Sequence, residues 1–585
     1  MLGQPYQFVG GWRLSNALTH NDLQACLSQL VGADQKFSIR KSSDWAIAHL
    51  GADVSPNETT IVLSACGRRN HRDVWVNLET EKLRLGRDRF GRVPLYWTCV
   101  DQVIWFATQL RLLLPIVESP KVNISALYGY SCFSYVPNPL TSVEQISSVP
   151  AGVELIWKDH SDPITQLCED QQSWQESSDL IHDEESAIEQ LQSLLKNAIA
   201  DQTKDLSDEP VGVFLSGGID SSIVAALLVQ AGLNVRAYAL DFGSEGYSEL
   251  PYAQQVADYL QIPLVQVAAT PQRLIRVLRE TARSLDAPYG DGVTAPLFLL
   301  NQAAAQETRV VFNGENGDQL FAGWVNKPLI ASAVYNFENP TGTEDFNQQY
   351  LRTFQRFYGY ESQIFSPEVY RQIQAIDLQD YLRPALESDS SLLARLRRAS
   401  LMLKGAQNIQ PRATALGFAH GLWVRSPFCD PALTEWTFRL PGELVLQGAC
   451  EKYILKRAVE SWLPPEIVWR EKRGMGVPLR PGYYQNLWSE VGNWLNPGVL
   501  KREGRWQPHL AEQMMSGELG VAMRGSSRTL PSSRYLGNNL WLLLMWQAWR
   551  IEVLGESAGA RSWNHPFWLP PWLGRQIWSL RRSQQ

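Results

Sequence analysis

The sequence has few cysteines, and none of them lies in a pattern typical of a disulfide or zinc protein. Its seven cysteines, an odd number, are scattered along 585 residues without a CxxC pair. Disulfide scaffolds and zinc knuckles need close, regular spacings. We therefore expect free thiols in a reducing cytoplasm.

Long apolar runs are also absent. The segment Met1–Trp12 has no basic stretch followed by an apolar one, so it does not resemble a secretion signal. The most apolar late run, Leu540–Trp549, covers about half of the roughly 20 residues that a membrane span needs. We expect a buried helix there and no membrane partner.

Positive charge is not in excess. The net charge of −7 gives no general attraction to nucleic acid, so we expect no nucleic-acid partner. Hydrophobic residues make up 44% of the chain, which is typical of a folded globular protein. Because the length exceeds what one core normally supports, we expect two or more domains.

The first part of the chain alternates short β-rich segments with turn residues, which predicts a largely antiparallel sheet domain over residues 1–175. Residues 161–185 are polar and acidic, and we interpret them as a linker before a helix that begins at Ser186. The predicted strands are Phe8–Trp12, Thr60–Ser64, Asp73–Leu78, Val103–Phe106 and Gly152–Trp157.

A strand, helix, strand pattern follows and predicts a doubly wound α/β domain over residues 186–480, with added helices from about Pro328. Ligands of such domains bind beyond the carboxyl ends of the strands. Residues 481–585 form a Trp- and Pro-rich extension that we expect to be helical. The predicted parallel strands are Val211–Leu215, Val235–Asp241, Leu264–Val267 and Arg309–Asn313.

The segment Ser216–Ser222, SGGIDSS, lies between a buried strand and an apolar helix. Its glycines let backbone N–H groups converge, its serines add hydroxyls, and the helix directs its positive end to the same point. These features predict a pyrophosphate-sized anion site. The lysine and spacing of a Walker A loop are missing, which disfavours γ-phosphoryl transfer. The alternative is an ordinary turn with serine capping.

A second loop follows the strand RVVFN and carries Glu315 and Asp318. Two carboxylates this close are costly to desolvate without a cation or an amine nearby. The alternative is a glycine-rich turn with solvated acids.

The SGGIDSS segment resembles the pyrophosphate loop of N-type ATP pyrophosphatases, including the synthetase half of asparagine synthetase. The segment 313–324 resembles the SGEGADELFGGY motif of that family. The resemblance implies ATP cleaved to AMP, Mg²⁺ held by Asp220 and Asp318, and Glu315 beside the acyl-adenylate. The ATP-binding residues that it implies are Phe214, Ser216, Gly217, Gly218, Asp220, Ser221, Ser222, Leu240, Asn313 and Gly314.

Three later segments, VRSPFCD, EKYILKR and WREKRG, resemble family motifs in the same order. By this resemblance Lys472 stabilises charge in the transition state. The sequence departs from the family at Asn313, Asn316 and Gln319, where the family has Ser, Gly and Glu. The last departure puts the cation environment or the amine site in question.

The segment Gly86–Tyr96 and the FATQ that follows resemble class II glutamine amidotransferases, which implies an N-terminal-nucleophile hydrolase fold. That family uses a cysteine directly after the initiator methionine, whereas this sequence has Leu2. We also find no counterpart of the NGE stretch that holds glutamine. We therefore expect no glutamine hydrolysis.

The whole pattern resembles the asparagine synthetase family, in particular its cysteine-lacking branches, the β-lactam synthetases and lasso-peptide macrocyclases. It predicts a ligase that adenylates a small-molecule or peptide carboxylate and passes the acyl group to an amine. A homodimer and peptide-processing partner proteins are compatible with it. The alternatives are an ammonia-using asparagine synthetase, a non-catalytic relative, and another ATP pyrophosphatase such as an RNA thiolation enzyme.

Overall fold

The structure is a computed structural model. Position 2 and Cys26 lie outside the residues that it describes, so the prediction made from Leu2 has no structural counterpart here. The described residues are 7–14, 23, 27, 37–42, 44–50, 53–54, 60–68, 72–79, 81–158, 162–168, 174–243, 248–323, 346–472, 474–475, 477, 488–516, 519 and 533–557.

The strands and helices have the following bounds. The strands are β1 (Gln7–Arg13), β2 (Ser38–Lys41), β3 (Trp45–Leu50), β4 (Asp53–Val54), β5 (Thr60–Leu63), β6 (Val74–Leu78), β7 (Leu83–Arg87), β8 (Tyr96–Val100), β9 (Val103–Ala107), β10 (Ser147–Ser148), β11 (Val153–Trp157), β12 (Ile164–Leu167), β13 (Val211–Phe214), β14 (Val235–Asp241), β15 (Leu264–Ala268), β16 (Val310–Phe312), β17 (Trp423–Arg425), β18 (Leu446–Gln447) and β19 (Cys450–Glu451). The α-helices are α1 (Ile124–Phe133), α2 (Glu184–Thr203), α3 (Ile219–Gln230), α4 (Leu250–Leu260), α5 (Pro271–Arg276), α6 (Leu278–Arg283), α7 (Thr294–Ala304), α8 (Gly317–Leu320), α9 (Phe346–Arg352), α10 (Glu361–Ile364), α11 (Pro367–Ile373), α12 (Arg383–Leu386), α13 (Leu392–Ala399), α14 (Gln410–Ala419), α15 (Pro431–Thr437), α16 (Gly442–Val445), α17 (Tyr453–Val459), α18 (Pro465–Val468), α19 (Trp488–Leu495), α20 (Pro497–Glu503), α21 (Leu510–Ser516) and α22 (Ser533–Glu552). A π-helical segment, Ser400–Ile409, joins α13 to α14, and short 3₁₀ turns lie at Leu110–Leu112, Leu378–Tyr381 and Pro427–Cys429.

Two six-stranded antiparallel sheets form the amino-terminal domain, as predicted. Their strand orders are β10-β8-β9-β1-β3-β2 and β12-β11-β7-β6-β5-β4. Successive side chains of a strand face opposite sides of its sheet. In β1, Phe8 packs between the two sheets with Leu85, whereas Val9 joins a second core that contains Tyr130 of α1. The β1 sheet is therefore a middle layer, which explains why both faces of β1 are buried.

The second domain contains a five-stranded parallel sheet in the order β15-β14-β13-β16-β17. This confirms the doubly wound α/β prediction, and β17 adds a strand that was not among those predicted. The order reverses between β13 and β16, and ligands of such sheets bind at that point, beyond the carboxyl ends of the strands. The loop after β13 carries the predicted anion site, and the loop after β16 carries the acidic pair.

The interpretation of residues 161–185 as a linker is wrong in part. Strand β12 lies within this segment and pairs antiparallel with β11. All four side chains of β12 are exposed because it is an edge strand. Edge strands tolerate polar sequence, so composition alone did not reveal it. Helix α2 begins at Glu184 rather than Ser186, with Asp183 accepting the N–H of Ser186 as its cap.

Buried contacts join the amino-terminal domain to both sides of the second domain. The N–H of Val424 in β17 donates to the carbonyl of Ala65 at 3.1 Å. The Tyr130 hydroxyl donates to the carbonyl of Leu542 in α22 at 2.8 Å. Residues 540–549 of α22 are buried, as predicted. Among the described residues, no helix is both long enough and apolar enough to cross a membrane.

Candidate active site

The loop after β13 forms a compact turn that ends in helix α3. Gly217 has a φ of +70°, and a Cβ on it would lie 2.6 Å from the backbone nitrogen of Ala253, so only glycine fits there. The N–H of Gly218 donates to the Ser216 hydroxyl at 3.2 Å, and the hydroxyls of Ser216 and Ser221 are 3.2 Å apart. The first N–H groups of α3 have no acceptor within the helix. They make this turn suited to bind an anion.

The loop after β16 packs directly against the start of α3. A Cβ on Gly314 would lie 2.6 Å from the backbone nitrogen of Ser221, so this glycine permits the contact. The side-chain oxygen of Asn313 accepts the N–H of Glu315 at 3.1 Å and the hydroxyl of Ser426 at 2.9 Å. These bonds fix the backbone from which Glu315 and Asp318 extend.

The structure accounts for one departure from the family motif. Asn316 has a φ of +85°, a conformation that asparagine adopts more readily than most residues with a Cβ. Its amide donates to the carbonyl of Phe428 at 3.3 Å. Asparagine can therefore replace the family's glycine without altering the turn. Gln319, in contrast, brings a neutral amide to a buried place where the family has a carboxylate.

Asp220 and Asp318 lie on either side of one ammonium group. Lys452, which is 1% exposed, pairs with Asp220 and lies 2.6 Å from Oδ1 of Asp318. This lysine belongs to the EKYILKR motif, but its role could not be predicted from the motif alone. Its positive charge occupies the position between the two carboxylates where the resemblance implies Mg²⁺.

The residues present fit a magnesium ion that is shared with phosphates. Oδ1 of Asp220 is buried and has no hydrogen-bond partner among the described atoms. No group of three or more His, Cys, Asp or Glu able to hold a metal occurs in the described part of the chain. Mg²⁺ commonly takes one or two carboxylates and completes its shell with phosphates and water, so two acids are sufficient.

Lys472 lies on the other side of Asp318. Its Nζ is 2.9 Å from Oδ2 of Asp318, and its backbone N–H donates to the Glu451 carboxylate at 3.1 Å. Burial alone would lower the pKa of Lys472, but the carboxylates of Asp318 and Asp220 outweigh it and raise that pKa. Burial would raise the pKa of Asp318, yet Lys452 and Lys472 hold it below its usual range. Both Lys472 and Asp318 are therefore charged at neutral pH.

Glu315 differs from its neighbours because none of the described cationic side chains forms an ion pair with it. Burial and the negative charge of Asp318 raise the pKa of Glu315 to about 7. A carboxyl group with this pKa can accept or donate a proton near neutral pH. The structure thus gives Glu315 a property that the sequence did not show.

These residues line one cavity of about 540 Å³. Every predicted site residue lines it except Gly217 and Ser222. Gly217 shapes the turn from behind, and its carbonyl accepts a hydrogen bond from Arg470 at 3.2 Å. Ser222 is fully buried, and its hydroxyl donates to the carbonyl of Gly218 at 2.8 Å. The prediction that Ser222 contributes a hydroxyl to the anion site is corrected, because that hydroxyl supports the helix start instead.

The cavity also contains residues that the sequence analysis did not identify. Phe133, Ser134 and Tyr135 reach it from the end of α1 in the amino-terminal domain. Lys404 and Asn408 reach it from the π-helical segment. Residues 133–135 line the cavity because the two domains pack together, which the local sequence does not show. Lys404 and Asn408 could have been identified from the polar residues that recur at every fourth position through residues 400–412.

Comparison with known proteins agrees with this geometry. Residues 190–551 match the Asparagine synthase family, and residues 74–167 match the Glutamine amidotransferase domain. The chain belongs to the asparagine synthase family. It is accordingly a carbon–nitrogen ligase of the asparagine synthase type, which uses ATP and forms AMP and diphosphate.

Several curated relatives are similar over most of the chain. A glutamine-hydrolyzing asparagine synthetase 1 of Bacillus subtilis (strain 168) is 24% identical over 72% of this chain and 69% of its own length. A putative glutamine-hydrolyzing asparagine synthetase of Mycobacterium bovis is 25% identical over 82% of this chain and 76% of its own length. Among solved structures, an NH3-dependent NAD synthetase from Campylobacter jejuni covers 36% of this chain and 99% of its own, at 15% identity and a TM-score of 0.19. That score is too low to add to the fold assignment.

Proposed function

We propose that this asparagine-synthase-type ligase adenylates a substrate carboxylate and transfers the acyl group to an amine without hydrolysing glutamine. The proposal rests on the contact between the loops after β13 and β16, at the point where the strand order of the parallel sheet reverses. There an anion-binding turn, two carboxylates and two lysines line the same cavity. This set of groups suits attack of a carboxylate on the α-phosphorus, with pyrophosphate as the leaving group.

Each residue has a distinct part in the proposed reaction. The turn from Ser216 to Ser221 binds the phosphates, and Asp220 and Asp318 would hold Mg²⁺, which supplies charge neutralisation when bound. Lys472 stabilises the negative charge that develops between the acyl group and the α-phosphate. Glu315 takes the proton from the attacking amine, a task for which a pKa near 7 is suited.

Three thiols of the described amino-terminal domain support the absence of glutamine hydrolysis. Burial is the main cause that raises the pKa of Cys66, Cys99 and Cys132. A thiol must ionise to attack an amide, so these cysteines are poor nucleophiles. The amine is then free ammonia or, in our proposal, an amino group on a larger substrate.

The names of the relatives favour a second candidate, formation of asparagine from aspartate and ammonia. It uses the same site and the same first step. The two candidates differ only in the acyl and amine substrates.

The test is product analysis on the full chain with ATP and magnesium. Aspartate plus ammonia is compared with peptides that contain internal or carboxyl-terminal Asp or Glu and a free amino terminus. We expect AMP, pyrophosphate and an amide with a peptide substrate, and no glutamate from glutamine. Release of ADP would overturn the proposed chemistry, and release of glutamate would overturn the proposed amine source. Asparagine formation would select the second candidate.

A variant checks the metal site in the same assay. Asp318→Asn removes the charge that faces both lysines and the predicted metal. We expect loss of AMP formation by a factor of about 100 or more, because a misplaced metal and phosphate forfeit transition-state stabilisation. Thermal unfolding of the variant, compared with that of the parent chain, checks that the fold is kept. Full turnover would contradict the assignment of Asp318.

A further inference from the structure

One wall of the cavity is a polar row on the helix that runs from α13 through the π-helical segment into α14. In a π-helix the hydrogen bonds run from residue i to i+5, so residues roughly four to five positions apart share a face. Ser400, Lys404 and Asn408 have this spacing and all line the cavity, and Arg412 continues the row in α14. π-Helical turns are often found at functional sites.

The far end of this row is held in place by hydrogen bonds. Arg412 pairs with Asp291 and also donates to the side-chain oxygen of Asn408 at 2.9 Å. Asp291 in turn accepts the hydroxyl of Thr294 at 2.9 Å. Arg412 and Asn408 are therefore occupied by protein partners and act as a rigid support.

Lys404 is different. It forms no hydrogen bond and no ion pair with any residue that the structure describes, although it extends into a cavity that also contains Glu315 and Asp318. By contrast, Lys452 and Lys472 pair with Asp318, and Arg470 pairs with Glu249. Burial lowers the pKa of Lys404 and the carboxylates of Asp318 and Glu315 oppose that shift, but its side chain remains exposed to solvent. Its ammonium group is therefore accessible to a bound anion.

An aromatic wall built from both domains, with Phe133 and Tyr135 from the first and Phe354 from the second, lines the same cavity. Phe133 and Tyr135 stack with their ring centroids 5.6 Å apart, and the ring of Phe354 meets Phe133 edge-on at 5.2 Å. The peptide between them is fixed, because the carbonyl of Ser134 accepts the N–H of Gly290 at 2.8 Å. All four of Phe133, Ser134, Tyr135 and Phe354 line the cavity.

We propose that this cavity contains a subsite for the acyl substrate, in which Lys404 binds a second carboxylate and the aromatic wall packs against an apolar or aromatic group. The proposal rests on the proposed function, since it names the substrate class of the same site. The substrate is then an acidic amino acid whose amino group carries a bulky acyl or peptide substituent. The amino-terminal domain contributes to substrate selection through residues 133–135.

The test is a set of three probes that differ by one group each. N-Benzoyl-L-aspartate carries a ring and two carboxylates, N-benzoyl-β-alanine lacks the second carboxylate, and N-acetyl-L-aspartate lacks the ring. Binding to the full chain is measured by calorimetry in the presence of magnesium and α,β-methylene-ATP. We expect the first probe to bind about tenfold or more tightly than N-benzoyl-β-alanine, since one charge-assisted hydrogen bond is worth at least that much. We expect it also to bind more tightly than N-acetyl-L-aspartate, since the ring buries apolar surface against the aromatic wall.

Variants then assign each effect to a residue. Lys404→Met should reduce the affinity for N-benzoyl-L-aspartate to that for N-benzoyl-β-alanine and leave the affinity for N-benzoyl-β-alanine unchanged. Lys404→Arg should restore most of the affinity because it keeps the charge. Phe354→Leu should remove the advantage of the benzoyl group over the acetyl group. Lys158→Met is the matched control. It removes one exposed lysine directly after β11 and should leave the affinities for all three probes unchanged.

The outcomes separate the two proposals. If the ATP analogue does not bind, the proposed function fails and the subsite fails with it. If the analogue binds but the three probes bind equally or not at all, the subsite proposal is overturned while the adenylation chemistry stands. An unchanged probe preference in Lys404→Met would also overturn it.

Discussion

Lys452 separates two carboxylates that would otherwise repel each other across the active site. Its ammonium group lies against both Asp220 and Asp318, and it is almost completely buried. A buried cation with two acidic partners keeps the acids in place before a nucleotide binds. If Asp220 and Asp318 hold Mg²⁺ as proposed, the ammonium group of Lys452 would have to move away from them, and the affinity for magnesium would depend on that movement.

Glu315 permits a prediction about pH. Its carboxyl group, with a pKa of about 7, is protonated below that pH and becomes an available base only above it. The rate of acyl transfer to an amine should therefore rise with pH and level off above about 7, as expected for general base catalysis. The measurement is the initial rate of amide formation across that range.

Glu315→Gln is the variant that tests this assignment. It should lower the rate of amide formation by roughly 10²-fold or more and abolish the rise near pH 7. Pyrophosphate release in the absence of an amine serves as the internal control for the first step, because AMP leaves only when the acyl group is transferred. A variant that keeps the full pH dependence would show that another group supplies the base.

Site residues differed in how far the sequence could predict them. Ser216, Asp220 and Asp318 lie in short motifs whose spacing alone indicates their proximity to the strand ends. Lys404 could not be predicted in the same way, because its proposed role depends on its having no partner among the residues that the structure describes. The pKa of Glu315 also depends on burial that only the assembled cavity creates.

At the scale of elements, the site depends on close contact between the loops after β13 and β16. Gly314→Ala would place a methyl carbon 2.6 Å from the nitrogen of Ser221, and backbone atoms cannot rotate away. The loops would have to separate, at a cost of about 1–3 kcal/mol. We expect at least a tenfold loss of affinity for α,β-methylene-ATP, measured by calorimetry.

Gly442→Ala is the matched control. A Cβ at that position would lie at an ordinary van der Waals distance of 3.6 Å from the side chain of Leu393, so the change should leave nucleotide affinity as it is. If Gly314→Ala bound the nucleotide as well as the control, the contact between the two loops would not matter for the site.

Elements with strong periodicity were predictable, and those set by tertiary packing were not. Strand β14 was predicted with the bounds that it has, because its apolar run is long and its neighbours are helices. The exposed edge strand β12 and the short strand β17 lack such a signal. The π-helical segment at residues 400–409 has a polar residue at every fourth position, but this spacing also fits an α-helix, so it does not predict the π-helical hydrogen bonds.

At the scale of the whole molecule, Arg425 connects the two domains. Its guanidinium group is 2% exposed and donates to the carbonyl of Cys66 at 3.2 Å and to the carboxylate of Asp205 at 2.6 Å. Arg425→Met would leave the buried carbonyl without its donor. We expect a loss of about 2–4 kcal/mol in the free energy of unfolding, measured with a chemical denaturant.

The control for this prediction is Arg439→Met. Arg439 pairs with Asp179, and both side chains are well exposed. Exposed pairs of this kind contribute within about 1 kcal/mol. Equal destabilisation by the two substitutions would show that Arg425 does not hold the interface together.

The hydrogen bond between Val424 and Ala65 has a consequence for the second domain when the amino-terminal domain is missing. Strand β17 is the last strand of the parallel sheet, and its free side would present unpaired backbone groups to any other chain. The amino-terminal domain covers that margin. The amino-terminal domain, which resembles a glutamine amidotransferase, thus prevents β17 from pairing with strands of other molecules. The second domain produced without it would tend to self-associate through the exposed edge of β17.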